Sequence, residues 1–335
     1  GVSSKLLAAR GRGGMIGLMA TTITRLAPSP TGAMHLGNIR TFVLNAVMAR
    51  QYGWRVLMRI EDLDGPRTKP GATDDMLEEL AWLGLEWEPG LVVQSDRAER
   101  YAAALEALAE AGHAYPCVCS RKDVEQAASA PHAEDNPGHY PAICRDRFTD
   151  AAHATDTTGR PVAWRVRVND TPIRFADGIY GPIAFILDRS GGDFVIFKNT
   201  GYAGYQLAVV IDDAEAGVDA IVRGDDLLDS AARQIHLRRL LGLGPEPTYW
   251  HLPLVVGPDH KRLAKRHGDT RLAHYREIGV TRERILGWVG AVSGLWEGRL
   301  READMSDLVA GFDPAGMPHH PITFTAAHDA FLRGV

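Results

Sequence analysis

The sequence predicts an α/β protein built on a doubly wound parallel sheet, with an insertion in the middle and a short helical region at the end. Three observations carry that expectation. Strand and helix patterns alternate over residues 23–112, the order that right-handed parallel crossovers generate. The alternation breaks at 113, where cysteines, histidines and prolines gather. It resumes near 205. A chain of 335 residues with 45% hydrophobic composition is long enough for about two lobes around a large core.

Each element has its own signal. "ITRLAPSP" reads as a strand at 23–27 halted by prolines. "LGNIRTFVLNAVMARQY" (36–52) has helical spacing and stops at Gly53. "WRVLMRIED" (54–62) is a buried-type strand. "GATDDMLEELAWLGL" (71–85) is a helix with acidic residues early, where they favour its dipole. "RAERYAAALEALAEAG" (97–112) is another, ended by Gly112. Past 113, "VAWRVRV", "IAFILD" and "DFVIF" look like antiparallel strands of the insertion. Then "YQLAVVIDD", "VDAIVRG", a helix over 229–241 and "YWHLPLVV" restore the alternation, and 270–294 is helical.

The ends carry weaker patterns. The tail from 311, rich in Gly, Pro and His, reads as loosely ordered. Residues 1–20 read as a disordered leader. Their apolar stretch "MIGLMA" is shorter than the roughly 7–15 residues of a secretory core. "GRGG" in this leader is no dinucleotide fingerprint, because Ile16 stands where the third glycine belongs. The expected division is therefore 1–20, 21–112, 113–200, 201–256, 257–310 and 311–335.

Composition narrows the function classes. A net charge of −5 argues against nonspecific capture of nucleic acid as the main activity. Local basic stretches remain at 233–239 ("RQIHLRR") and 261–266 ("KRLAKR"). Arg233, Arg238 and Arg239 either track phosphates or lie on a solvated helix face. No apolar run reaches about 18 residues, so no transmembrane helix is expected. Three cysteines without an export signal point to a reducing cytoplasm.

Two of those cysteines form "CVC" at 117–119, and the third is Cys144. Cys117 and Cys119 are too close in sequence for an unstrained mutual disulfide. A structural zinc site wants four ligands. The residues leave His132, His139 and Tyr140 as candidates for the fourth.

The chemistry-bearing stretch is "RLAPSPTGAMHLGN" (25–38), which ends the first strand and opens the first helix. A ligand there meets free backbone N–H groups and the positive end of a helix dipole. Gly32 and Gly37 permit close backbone approach, and His35 can donate to a phosphate oxygen.

"APSPTG…HLGN" resembles the first signature of class I aminoacyl-tRNA synthetases in its glutamyl/glutaminyl form. "KRLAKRHG" (261–268) resembles the second, the mobile lysine loop. "RIEDLD", "GYAGYQLAVVIDD" and "IVRGDDLL" fall between them in the family's order, so the resemblance spans roughly 23–290. It implies a class I synthetase fold, with a Rossmann-type sheet, an inserted zinc-binding subdomain and a short C-terminal helical region. It also implies ATP, accompanied by magnesium, and L-glutamate as substrates.

His35, Gly37, Asn38 and Lys265 match the ATP-binding positions, with His35 and Lys265 acting on the phosphates. Arg25 and Arg223 match the two arginines that receive carboxylates through bidentate forks. Glu61 matches the receptor of the amino group, and Ser29 and Tyr205 match smaller contacts.

Three positions depart from the pattern. Arg262 and Ala264 replace the usual Lys and Ser of the lysine loop. Leu227 stands where ordinary glutamyl enzymes carry Trp. Only 67 residues follow Gly268, too few for a two-bundle anticodon-reading domain. The chain therefore resembles the truncated glutamyl-queuosine tRNA(Asp) branch. That branch implies a monomer without membrane contact, whose partner is the tRNA(Asp) anticodon stem-loop bearing queuosine. Its CxC followed by Tyr-x-x-x-Cys implies zinc held by Cys117, Cys119, Tyr140 and Cys144. The other readings are a truncated enzyme acting on the tRNA 3′ end, a different nucleotidyltransferase, and a non-catalytic zinc-binding RNA module.

Overall fold

A computed structural model describes residues 21–30, 33–63, 71–128, 139–261, 263 and 268–335. Strand β1 (Ile23–Leu26) leads into helix α1 (Leu36–Tyr52), which Gly53 ends in the left-handed region at φ 68°. A side chain there would be strained, so the sequence signal and the stop coincide. β2 (Arg55–Ile60), α2 (Ala72–Trp82), β3 (Leu91–Val93) and α3 (Ala98–Glu110) follow. β1, β2 and β3 are parallel neighbours, with Arg25 opposite Leu57 and Met58 opposite Leu91.

β4 (Ala114–Cys117), α4 (Arg121–Ala128), α5 (Ala151–Thr158), β5 (Ala163–Val166) and β8 (Phe194–Phe197) build the antiparallel sheet β4-β5-β8. β6 (Ile173–Asp177) and β7 (Gly181–Phe185) lie between β5 and β8 in sequence but leave that sheet. They form a hairpin that adds to the second half of the parallel layer through Tyr249 opposite Asp177. Sequence reading missed β6 and grouped β7 with its chain neighbours. The pairing that moves them is long-range and leaves no local mark.

The second half contains α6 (Tyr205–Glu215), β9 (Ala220–Gly224), α7 (Leu228–Leu240) and β10 (Thr248–Leu252). β9 and β10 pair in parallel, with Arg223 opposite His251. The two halves meet at β1 and β9. The Asp219 N–H donates to Ile23 O (3.0 Å), and the Ile23 N–H donates to Asp219 Oδ1 (2.7 Å). The layer order is thus β3-β2-β1-β9-β10-β6-β7, reversing direction of growth between β1 and β9.

Helices cover both faces. On one, Leu36, Ile39 and Val43 of α1 pack with Leu26, Met58, Val222 and Leu252. On the other, Ala231, Ala232 and Ile235 of α7 pack with Ile173, Ile221 and Tyr249. Ile221 and Val222 serve opposite cores because successive strand residues face opposite ways.

β11 (Val255–Val256), α8 (Leu272–Glu277), α9 (Arg282–Val292), α10 (Met305–Gly311), β12 (Ile322–Thr323) and α11 (Ala326–Arg333) complete the chain. Gly279, at φ 82°, separates α8 from α9 within the predicted 270–294 helix. The tail expected to be loosely ordered is instead packed. β12 pairs with β11, Thr325 caps α11, and Leu332 is fully buried. The Phe324 ring meets Trp288 edge-on at 5.9 Å. Loop composition hid these apolar anchors. No described helix is long and apolar enough to cross a membrane.

Candidate active site

A cavity of about 560 Å³ opens beyond the C-terminal ends of β1, β2 and β9, where the strand order reverses. Open α/β sheets bind ligands at such a switch point. Arg25, Ser29, His35, Gly37, Asn38, Glu61, Tyr205 and Arg223 all line it, as do Leu227 and Leu263. Residues up to 238 positions apart in sequence, from Arg25 to Leu263, are therefore brought to one cavity. Lys265, Gly32, Arg262 and Ala264 lie outside the described residues. Leu263, from the same loop as Lys265, lines the cavity.

The two arginines are held differently. Arg25, 5% exposed, places its Nε 3.3 Å from Asp213 Oδ1. Arg59 donates to that same oxygen through NH1, and to Glu61 Oε1 through NH2 at 3.0 Å. Asp213 is buried, which pushes its carboxyl up, but Arg59 and Arg25 outweigh burial and hold it below the usual range. Burial of Glu61 wins over Arg59 and Arg25, so its carboxyl is raised.

Arg223, 4% exposed, hydrogen-bonds among the described residues to groups that carry no carboxylate. Nε donates to His251 Nε2 (3.0 Å), NH1 to Gln234 Oε1 (2.7 Å) and NH2 to Leu227 O (3.2 Å). No carboxylate among the described residues lies within ion-pair distance of it. The strand-end bridges to Asp62, Asp225 or Asp226 that would explain these arginines structurally are not the pairs formed. Asp213 acts on Arg223 only at longer range; a buried charge without a directly paired carboxylate is costly, and an anionic ligand would relieve that cost.

The start of α1 supplies the opposite wall. His35 is its N-cap residue, and among the described residues no side chain caps the helix. The Leu36 N–H donates to Thr270 O (3.0 Å), the Leu272 N–H to Met34 O (2.8 Å), and His35 Nδ1 lies 3.1 Å from Thr270 Oγ1. The far stem of the lysine loop is thereby stapled to the first signature. β11 holds the near stem against β12. A Cβ on Gly37 would lie 3.7 Å from Val255 Cβ, an ordinary contact.

The cysteines gather elsewhere, under β4. The sulfurs of Cys117, Cys119 and Cys144 lie within 4.8 Å of one another. Tyr140 Oη stands 3.5 Å from Cys117 Sγ and 3.8 Å from Cys119 Sγ, and accepts from the Cys144 N–H at 2.9 Å. About 3.8 Å between sulfurs is what a tetrahedral ion with ~2.3 Å bonds requires. The Arg165 guanidinium sits 3.6 Å over the Tyr140 ring and donates to Cys117 Sγ at 3.3 Å. The Cys144 hydrogen bond, aided by Tyr140 and Arg165 against burial, holds the Cys117 thiol down at about 4. His139 is turned away, its Nε2 2.7 Å from Asp188 O. His132 lies outside the described residues.

In the chain by itself, the arginines of the basic stretch 233–239 are engaged by neighbouring residues. Arg233 pairs with Asp229 (2.9 Å), Arg239 with Glu246 (2.6 Å), and Arg238 is buried against Pro245 O (2.8 Å). Sequence reasoning also missed Arg59, Asp177, Asp213, Gln234 and His251. The carboxylate in "IDD" and the histidine in "YWHLP" were visible as polar residues inside apolar runs, which was the only available signal.

Comparison with known proteins agrees with this arrangement. The profile of the family "tRNA synthetases class I (E and Q), catalytic domain" matches residues 21–299. A Glutamyl-Q tRNA(Asp) synthetase from Rhodopirellula baltica is 44% identical over 83% of this chain and 87% of its own length. One from Symbiobacterium thermophilum is 42% identical over 92% of this chain and 98% of its own. Among solved structures, a glutamate tRNA ligase from Elizabethkingia meningosepticum, in complex with its amino acid, superposes with a TM-score of 0.77. It is 25% identical, covering 93% of this chain and 68% of that one. The chain belongs to the glutamyl/glutaminyl family of class I tRNA synthetases, ligases by class, and within it to the Glutamyl-Q tRNA(Asp) synthetase branch.

Proposed function

We propose that the chain activates L-glutamate with ATP and transfers the glutamyl group to the queuosine base at the wobble position of tRNA(Asp). The observation that carries this reading is Arg223, which has no directly paired carboxylate among the described residues, facing a cavity that also holds Arg25, Glu61 and the start of helix α1. Arg25 and Arg223 receive the two carboxylates, Glu61 receives the ammonium group, and Ser29 and Tyr205 add smaller contacts. His35, Gly37 and Asn38 meet the ATP phosphates at the helix N-terminus, with Lys265 reaching them from its loop and magnesium accompanying ATP.

In the first step a glutamate carboxylate oxygen attacks the α-phosphorus and pyrophosphate leaves. In the second a cyclopentenediol hydroxyl attacks the adenylate carbonyl and AMP leaves. Positioning and charge stabilisation carry both steps. The donor set of Cys117, Cys119, Cys144 and Tyr140 fits zinc. Zinc held there would supply a structural staple for the insertion, the part of the chain we assign to the anticodon stem-loop. The protein acts as a cytoplasmic monomer.

ATP–pyrophosphate exchange dependent on glutamate and independent of tRNA tests the first step. For the second, an ester on the wobble base survives removal of the CCA end, whereas a 3′-terminal ester does not. Loss of label with the CCA end would favour a truncated enzyme of the ordinary kind.

A further inference from the structure

We propose that His251 and Asp177 form a buried positioning pair that presents Arg223 to a glutamate carboxylate as an oriented charge with no carboxylate hydrogen-bonded to it. This rests on the reading of Arg223 as a glutamate receptor. The geometry specifies the roles. A guanidinium can only donate, so with Arg223 Nε 3.0 Å away, His251 Nε2 is the acceptor. The ring proton is then on Nδ1, which donates to Asp177 Oδ2 at 2.6 Å. Which nitrogen is protonated is fixed by the partner of the other.

Each member is locked in place. His251 is fully buried on β10, beside Arg223 of β9 by strand register. Asp177, at the end of β6, accepts the backbone N–H groups of Ile179 (2.9 Å), Tyr180 (3.0 Å) and His251 itself (3.2 Å). The groups facing the imidazole are Asp177 from β6, Arg223 from β9 and the Leu227 carbonyl. On its own strand, the Tyr249 ring stacks at 5.8 Å. Burial and then Arg223 press the imidazole towards its neutral form, against Asp177.

A neutral acceptor is the chemically distinctive choice. A carboxylate in its place would orient Arg223 equally well but would pair with it and cancel the charge. That arrangement exists next door, where Arg25 and Arg59 share Asp213. Gln234 and the Leu227 carbonyl, the remaining partners of Arg223, are also neutral. His251 is a positioning residue, because it acts through Arg223.

Three substitutions separate positioning from packing. His251→Gln keeps an acceptor where Nε2 stood. His251→Asn keeps the tie to Asp177 and removes that acceptor. Arg223→Ala removes the receptor. In glutamate-dependent ATP–pyrophosphate exchange, Asn is expected to raise the glutamate KM about tenfold or more, as loss of a hydrogen bond to a charged group does. The ATP KM and kcat stay near wild type, and Gln restores most of the loss. Equal effects of Asn and Gln, or none from Asn while Arg223→Ala still raises the KM, overturn the positioning role alone. An unchanged KM in Arg223→Ala overturns the receptor reading beneath it. If the Asn variant does not fold, ¹⁵N NMR of the wild-type ring, identified by its absence in His251→Gln, decides the matter. The Nδ1–H neutral tautomer at pH 7 is expected, and an Nε2–H or doubly protonated ring overturns the proposal.

Discussion

Asp213→Asn tests whether the buried charge network under the cavity has the balance described. Asp213 Oδ1 accepts from both Arg59 and Arg25, and Oδ2 is buried without a hydrogen-bond partner among the described residues. Asparagine keeps the shape and one acceptor but removes the charge. Arg25 then has no carboxylate partner, and Arg59 keeps Glu61 at 3.0 Å and Asp212 at 4.0 Å. Breaking a buried ion pair from one side costs about 3–5 kcal/mol. Because Glu61 still compensates Arg59, the expected loss is about 3 kcal/mol at the lower end of that range.

The pH dependence follows from the sign of the shift. The folded carboxyl of Asp213 is held below its unfolded value of about 3.9. Its stabilisation is therefore complete above about pH 4 and is lost as pH falls through the lower folded value. Urea unfolding of wild type and variant at pH 5 to 8 should show a constant gap, closing only in more acidic solution. A gap below about 1 kcal/mol at pH 7, the level of a surface pair, would refute the network account.

Further outcomes follow from the same geometry. Lys265→Ala should slow adenylate formation by roughly 10²–10³-fold, the usual cost of removing a transition-state donor, while leaving equilibrium glutamate binding unchanged; normal exchange rates would contradict its role. Protein purified without chelators should carry about one zinc per chain, the stoichiometry of a single four-ligand site. Metal analysis of wild type and Tyr140→Phe should show weaker retention in the variant, and metal-free wild type would end the zinc reading. Gly287→Ala places a Cβ 1.7 Å from Arg301 O, so α9 must shift. Overpacking of this kind costs about 1–3 kcal/mol, visible as a lower melting temperature, and an unchanged melt would show that the 299–302 segment yields freely.

Much of the fold was legible because its signals are local. α1 spans the predicted 36–52, since the glycine that ends it, Gly53, must take positive φ. Arg25 and Arg223 could be picked out because they match the two arginines of the family the sequence resembles, and both reach the cavity. The partners that tune them could not. His251 meets Asp177 only because β10 pairs with β6 in one register, and Asp213 reaches Arg25 across 188 residues. The arginines of 233–239 show the converse: their charge is visible in sequence, but Asp229, Glu246 and Pro245, which engage them, are assigned by the fold.

The central claim is the identity of the acceptor, and one measurement addresses it directly. Labelled glutamate, ATP and the full chain are incubated with tRNA(Asp) carrying queuosine, tRNA(Asp) lacking it, and tRNA(Glu). Label incorporated into the queuosine-bearing tRNA(Asp) alone is the predicted result. Label on tRNA(Glu), or equal label on tRNA(Asp) with and without queuosine, would contradict it.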